Sequence, residues 1–267
     1  SIGYSLGMGK AEWGADPEFF GPRHAHREGR IMRRLQQLVS APGLHLECAA
    51  GVGSLSLSLA GQGRSVVAAD LSLLSLRVLR DRARDTGLQD RILPVIADIT
   101  SLPFAEGTFA SATTAETLEH VPEHGRAASE LARVLTEGGR LVGTVPAGPS
   151  QWSDWDEWAG HVRRYSRTEM ISLLEEAGLD AEVVVWGWPM LRFYDDFFLK
   201  RINRRRFRHD GATDSDSKLR TVSALGRKRR LVALVRLVFS IDHLFDGSPW
   251  GVGLLFSAQK KETPGNA

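Results

Sequence analysis

Cysteine is almost missing from this chain of 267 residues: Cys48 stands alone. One thiol makes no internal disulfide and no CxxC pair exists, which excludes a disulfide scaffold and a cysteine-rich zinc module and makes the cytoplasm the expected compartment. Long apolar runs are also missing. The stretch 231–239 is broken by Arg236 and falls well short of the roughly 20 residues that a membrane-spanning helix needs. The chain begins Ser1-Ile2-Gly3-Tyr4, with neither Met nor a basic region followed by an apolar run, so no secretory signal is expected. What remains is the composition of an ordinary soluble globular protein, 42% hydrophobic and 25% charged, long enough for one large domain or two small ones.

The net charge of +2 is unevenly spread. Residues 200–236 hold 13 basic side chains against Asp210, Asp214 and Asp216, a local charge of +10 that leaves the rest of the chain at −8. The segment reads as a solvated hairpin, an anionic-lipid contact, a nucleic-acid contact or an oligomer interface. Its Arg227-Lys228-Arg229-Arg230 cluster adjoins the apolar run 231–239, the arrangement of an interfacial helix, which favours a membrane surface. Nucleic acid ranks lower, because only Phe207 is interleaved with the basic residues where a stacking surface needs several aromatics.

From 44 to 145 short apolar runs alternate with amphipathic ones. Strands are expected at 44–49, 65–69, 92–97, 109–113 and 139–145, with helical spacing between them, and strands alternating with helices imply a parallel sheet with right-handed crossovers. A charged helix is expected at 23–39 and another at 168–177, capped by Ser166 or Thr168 and stopped by Gly178. Further strands follow at 183–186 and 254–258. The interval between them looks helical at 190–203 and 224–245, and reads as an insertion without its own core. The expected layout is one domain: a cap over 1–40, a core over 41–187 and 251–261, and a basic helical insertion over 188–250. Trp13, Phe19 and Phe20 in the cap are expected to help cover the site.

Four motifs occur in order. Glu47-Cys48-Ala49-Ala50-Gly51-Val52-Gly53 places small residues where the chain turns from strand to helix, so that a ligand can approach the backbone. Alone, such a turn serves tight packing as often as binding. Asp70 then ends the second strand, where a carboxylate can accept both ribose hydroxyls of a nucleoside over the turn, or cap the following helix. Asp98-Ile99-Thr100-Ser101-Leu102-Pro103-Phe104 follows the third strand and Glu116-Thr117-Leu118-Glu119-His120-Val121-Pro122 the fourth. A nicotinamide-binding fold would want a fuller glycine fingerprint and dehydrogenase chemistry downstream, and neither is present.

With these four motifs the chain resembles the class I S-adenosylmethionine-dependent methyltransferases, in the small-molecule branch related to ubiquinone and menaquinone biosynthesis enzymes. The resemblance runs from about 27 to 187 and resumes at the last strand. It implies an α/β, Rossmann-like, doubly wound sheet of seven mostly parallel strands with an antiparallel last strand, plus a helical insertion before that strand. It also implies S-adenosylmethionine as cofactor, with Glu47, Ala49, Gly51 and Gly53 bordering its methionine part, Asp70 and the adjoining Leu71 at the ribose, and Asp98 with Ile99 at the adenine. Ala49 stands where the family has glycine, and Glu47 where Asp is commoner. Arg27 is placed like an arginine that binds the methionine carboxylate in relatives, and it reads equally as a solvated helix charge.

Glu116, Glu119 and His120 fall at i, i+3 and i+4, so a helix opening after the fourth strand would put them on one face. Two carboxylates and an imidazole make a reasonable divalent-metal site, and the Glu-x-x-Glu-His spacing is similar to metal-dependent relatives. Other relatives carry Leu-Glu-His-Val without metal, with the histidine as base or as structure, so both readings stay open. The run from Trp152 to Tyr165 follows the fifth strand with three of the chain's seven tryptophans; it suits a planar acceptor or forms a packed lid. His161 within it is a base, a metal ligand or a lid anchor. The expected catalytic residues are therefore His120, His161 and Glu119. The expected activity is methyl transfer to oxygen or nitrogen of a small organic acceptor, in specialised metabolism. The alternatives are a lipid-linked or membrane-associated substrate and a non-catalytic cofactor-binding or assembly protein, and a homo-oligomer is compatible with either.

Overall fold

The computed structural model describes residues 21–39, 43–199 and 229–262. Most of the +10 segment and the expected aromatic cover of 1–20 lie outside the described residues, and so does the end of the helix expected at 190–203. Seven strands form one sheet in the order β3-β2-β1-β4-β5-β7-β6: β1 (Leu44–Cys48), β2 (Ser65–Asp70), β3 (Ile92–Ile96), β4 (Phe109–Ala115), β5 (Leu135–Pro146), β6 (Leu179–Trp186) and β7 (Gly253–Lys260). The first five pair in parallel, while β7 runs antiparallel to both β5 and β6. The expected doubly wound sheet with an antiparallel last strand is thus observed. Its central strands are covered on both faces, so that even His45, Glu47, Ser111 and Thr113 within them are buried.

On one face lie α1 (Pro22–Leu38), α2 (Ser54–Gly61) and, from the insertion, α8 (Arg229–Phe239). They bury Ile31, Leu35, Leu55, Leu59 and Phe239 against Val66, Val142 and Trp186. Beside them α3 (Leu73–Asp85) packs Leu76, Leu79 and Ala83 near Ala68 and Ile92. On the other face α4 (His124–Val134) and α6 (Arg167–Glu176) close the larger core through Leu131, Met170 and Leu174. Ser166 caps α6: its hydroxyl accepts from the Glu169 amide, and Glu169 accepts in turn from the Ser166 amide, a reciprocal box that fixes where the helix starts.

Several local expectations are corrected. No helix fills 97–108 between β3 and β4; the chain crosses there through turns. Asp70 is not a helix cap, because α3 starts one step later on Ser72, whose hydroxyl accepts from the Ser75 amide. Glu116, Glu119 and His120 do not share a helix face. Glu116 takes a left-handed backbone with φ 52°, Leu118–His120 is a single tight turn, and α4 begins only at His124. In the insertion α7 (Met190–Tyr194) widens over Asp195–Leu199, and α8 tightens over Ser240–Phe245. Asp242, fully buried, accepts from the Met190 and Leu191 amides and ties the two halves of the insertion together.

Candidate functional site

The carboxyl ends of β1, β2 and β4 meet at one edge of the sheet, where α/β folds bind ligands. The glycine turn is held by its own backbone: Ala50 donates to the Ala69 carbonyl at 3.1 Å and Gly53 to that of Ala50 at 2.9 Å. Ala49, Gly51 and Gly53 are all left-handed, with φ 57°, 54° and 76°. At Gly53 a Cβ would sit 2.0 Å from Leu79 Cδ1, so only glycine lets α3 lie this close. Asp70 closes the turn, one carboxylate oxygen accepting from the Gly51 amide at 2.8 Å and the other from Ser72 at 2.7 Å. Glu47 is buried and accepts from the Ser56 hydroxyl. Asp98 accepts from the amide and hydroxyl of Thr100, both at 2.8 Å. Ile99 beside it is buried, while Leu71 is exposed next to Asp70.

Over this turn α1 presents charged side chains. Arg27 lies 3.5 Å from a Glu116 carboxylate oxygen and donates to His24 at 3.0 Å, so the residue expected at the methionine carboxylate faces an acid of this chain. Arg23 pairs with Asp195 at 3.3 Å, which brings the insertion to the site. Burial opposes ionisation of Glu116, yet the Arg27 and Arg23 charges outweigh it and hold its carboxyl below the usual range. Glu119 goes the other way. It is fully buried, neither carboxyl oxygen has a hydrogen-bond partner, and burial followed by the Glu116 charge pushes its pKa well up. Two neighbouring carboxyls are thereby pushed in opposite directions.

The expected trio does not assemble as a group. Glu119 and His120 gather instead with His161, with one ligand atom of each within 4.8 Å of the others, and Glu116 stands outside this group. The two imidazoles meet edge to face with centroids 4.7 Å apart. His120 makes a hydrogen bond from Nδ1 to the Gly160 carbonyl at 3.3 Å, and burial followed by the His161 charge lowers its pKa to about 4. His161 places Nδ1 2.7 Å from Asp156, a residue the sequence reading did not single out.

Asp156 is fully buried in α5 (Asp154–Ala159). It accepts from the Ser153 amide and hydroxyl and from two nitrogens of Arg164, and the His161 and Arg164 partners hold its carboxyl low against the penalty of burial. Ser153-x-x-Asp156 is a capping-box pattern, the signal that could have pointed to it. The run from Gly160 to Tyr165 works as a brace. Val162 donates to the Glu119 carbonyl at 2.8 Å, Arg163 to Val121 and Pro122, Arg164 to Ala147 and the Tyr165 hydroxyl to Leu118. The segments after β4 and β5 are thus one unit. Trp155 and Trp158 stack in that unit with centroids 4.9 Å apart, and Trp152 is exposed.

Residues 46–143, which hold all four motifs, match the family model described as a methyltransferase domain. That match takes in the glycine turn, Asp70, Asp98 and Glu116 and leaves the N-terminal helix and the insertion outside it. The chain is 39% identical over 105 residues to methyltransferase GfsG of Streptomyces halstedii, covering 39% of this chain and 38% of that one. It is 43% identical over 97 residues to a demethylmenaquinone methyltransferase of Clavibacter sepedonicus, covering 36% of this chain and 38% of the relative. Each match therefore spans about two fifths of the relative's length. Among solved structures, that of the [4+2]-cyclase SpnF superposes with a TM-score of 0.61 at 19% identity, over 97% of this chain and 88% of that one. At that identity the likeness is one of fold, and because a cyclase shares this fold the reaction has to be argued from the site.

Proposed function

We propose that this chain transfers the methyl group of S-adenosylmethionine to an oxygen or nitrogen of a small organic acceptor. The observation that carries this reading is the bond from Gly51 to Asp70, which locks the acid at the end of β2 onto the glycine turn at the open edge of the sheet. S-adenosylmethionine, when bound, supplies a methyl group already activated for displacement at carbon by its sulfonium. The protein then has to bind, orient and take up a proton. Asp70 keeps lone pairs for the ribose hydroxyls, the bare backbone of Gly51 and Gly53 admits the methionine part, and Asp98 and Ile99 border the adenine. Ionised Glu116, between Arg27 and Arg23, suits the ammonium end of the methionine. His161 is the base: its Nδ1 is engaged by ionised Asp156, which leaves Nε2 as the nitrogen that takes the acceptor's proton, an orienting role familiar from other acid-histidine pairs.

A second reading rests on its own observation, the convergence of Glu119, His120 and His161. Two imidazoles with engaged Nδ1 atoms and a buried carboxyl without hydrogen-bond partners fit a divalent cation, with Asp156 and the Gly160 carbonyl as the outer partners that fix ring orientation. Such an ion, when bound, would lower the pKa of an acceptor hydroxyl.

Incubation of the purified chain with methyl-labelled S-adenosylmethionine and an extract of its source cells, with and without chelator, tests both. Label in the organic-soluble fraction is expected. Its loss with chelator selects the metal reading, and its persistence selects His161 alone. No label from an intact, cofactor-binding protein would overturn both in favour of a binding protein. Asp70→Ala is expected to weaken cofactor binding at least tenfold by calorimetry, and unchanged affinity would sink the placement of the ribose.

A further inference from the structure

The face of α1 that carries Arg23 and Arg27 is turned to Glu116. A quarter-turn away, His26, Gly29, Arg30 and Arg33 follow one another at helical spacing and face α8, where Arg236 and Ser240 complete the wall of a cavity of about 250 Å³. Three guanidiniums line this one cavity, Arg30 buried and Arg33 and Arg236 exposed, a lining that suits an oxyanion. Two carboxylates of the insertion stand nearby, and between them they answer only Arg30. Asp246 is spent on Arg30 at 2.6 Å, and Asp242 accepts from the α7 amides. Arg33 donates to the His243 imidazole at 2.6 Å, and among the described residues no carboxylate pairs with Arg33 or Arg236.

Two buried nitrogens on this wall have no hydrogen-bond partner, His26 Nε2 and Arg30 Nε, although each residue is only 5% exposed. Both are closed off from solvent, the His26 ring among Trp186, Phe239 and His243 and the Arg30 guanidinium over Trp186, so the donors open to the cavity are those of Arg33 and Arg236. Gly29 makes the third wall workable: a Cβ there would sit 2.7 Å from Arg236 Nη2, so its absence lets the Arg236 side chain lie across α1. The Arg30, His243, Arg236 and Arg33 charges, after burial itself, hold the His26 imidazole at a pKa of about 3, which leaves it a neutral donor or acceptor beside them. Guanidinium forks match a group with several oxygens better than a single point charge.

We propose that the cavity between α1 and α8 binds the phosphate group of a phosphate ester or inorganic phosphate at Arg33 and Arg236, in a wall completed by Arg30 and His26 and apart from the methyl-transfer edge. The phosphate has two sources in principle. Leu234, Leu237, Val238 and Ile241 are exposed along α8 and the turn after it, and Leu237 borders the cavity, so a lipid headgroup can reach it as well as a free phosphate.

The test uses the whole purified chain. Inorganic phosphate and glycerol 3-phosphate are titrated at constant ionic strength against chloride, and binding is read by thermal shift and by phosphorus NMR line broadening. In a parallel arm the chain is sedimented with vesicles of phosphatidylglycerol in phosphatidylcholine and with phosphatidylcholine alone. Saturable binding of both soluble anions is expected, weakened at least tenfold in the double variant Arg33→Gln/Arg236→Gln, with cofactor affinity unchanged. Both residues are exposed, so the variant keeps its core. Phosphatidylglycerol-dependent sedimentation that glycerol 3-phosphate competes away, and that the double variant loses, assigns the site to a lipid headgroup. Soluble binding without sedimentation assigns it to a free phosphate. Absence of saturable binding beyond chloride, or full binding in the double variant, overturns the proposal.

Discussion

Ala49 and Glu116 are the two residues other than glycine that take a left-handed backbone among the described residues, at φ 57° and 52°. Both stand at the carboxyl end of a central strand, where the cofactor and the acceptor are proposed to meet. An L-residue with a Cβ in that conformation costs about 1–2 kcal/mol. The cost at Ala49 is removable. Ala49→Gly is expected to relieve it while losing roughly 0.5–1 kcal/mol to the greater freedom of the unfolded chain. The net gain, about 0.75 kcal/mol at the centre of a range from about 0 to 1.5, would raise the melting temperature by about 1.5–3 °C in a chain of this size, checked by calorimetry. The turn itself was legible, because small residues between a strand and a helix have few other uses. The bend at Glu116 was not. Three chemically apt residues at i, i+3 and i+4 look like a helical face, and nothing local to Glu116 announces that the chain turns aside before Leu118.

At the scale of elements, the segment from Ser153 to Tyr165 holds the site together, and Asp156 is its anchor. Asp156→Asn leaves Arg164 and His161 without their charge partner. Removing one member of a buried pair costs on the order of 3–5 kcal/mol, so the variant is expected to melt several degrees lower. Its turnover should fall about 100-fold or more, the scale of a mispositioned base, while the cofactor dissociation constant stays within about twofold. Parallel calorimetry and rate measurements check this. A loss of cofactor affinity in step with turnover would mean that the segment shapes the cofactor site and not the base. Long-range partnerships of this kind leave a faint trace in sequence. Ser153-x-x-Asp156 marks a helix start, but α5 ends at Ala159 with Gly160 left-handed, so no single period links Asp156 to His161 and Arg164. The turns across 97–108 were hidden for a related reason, since Asp98 and Thr100 bond each other locally where spacing alone had implied a helix.

Across the whole molecule the sheet was the most legible level, because alternation of apolar strands and amphipathic segments leaves few topologies. The antiparallel placement of β7 came from resemblance, since periodicity says nothing of strand direction. The sheet also carries an acid sensitivity. His45 in β1 is fully buried between the Ser111 and Thr113 hydroxyls at 2.8 and 2.9 Å, and burial followed by the Arg64 charge lowers its pKa from 6.5 to about 3. The unfolded chain takes a proton at this residue below about pH 6.5 while the folded one does not. Its contribution is therefore full above that pH and falls by about 1.4 kcal/mol per pH unit on the way down to about pH 3. Urea unfolding at pH 7, 6 and 5 is expected to show a loss of about 2 kcal/mol from this residue by pH 5, and His45→Gln to flatten the slope by that amount. A different consequence follows from the way the insertion joins the sheet. Trp186 pairs with Gly253, and the Val252 amide donates to the Trp186 carbonyl at 2.9 Å, so the chain departs and returns on adjacent rungs. A closed excursion of this kind tolerates change of length cheaply, about 0.6 kcal/mol for each doubling. The stretch between these rungs is thus a cassette whose length can change so long as Phe239 stays seated on Val66 and Val142, and a lineage could inherit the glycine turn from one ancestor and the excursion from another.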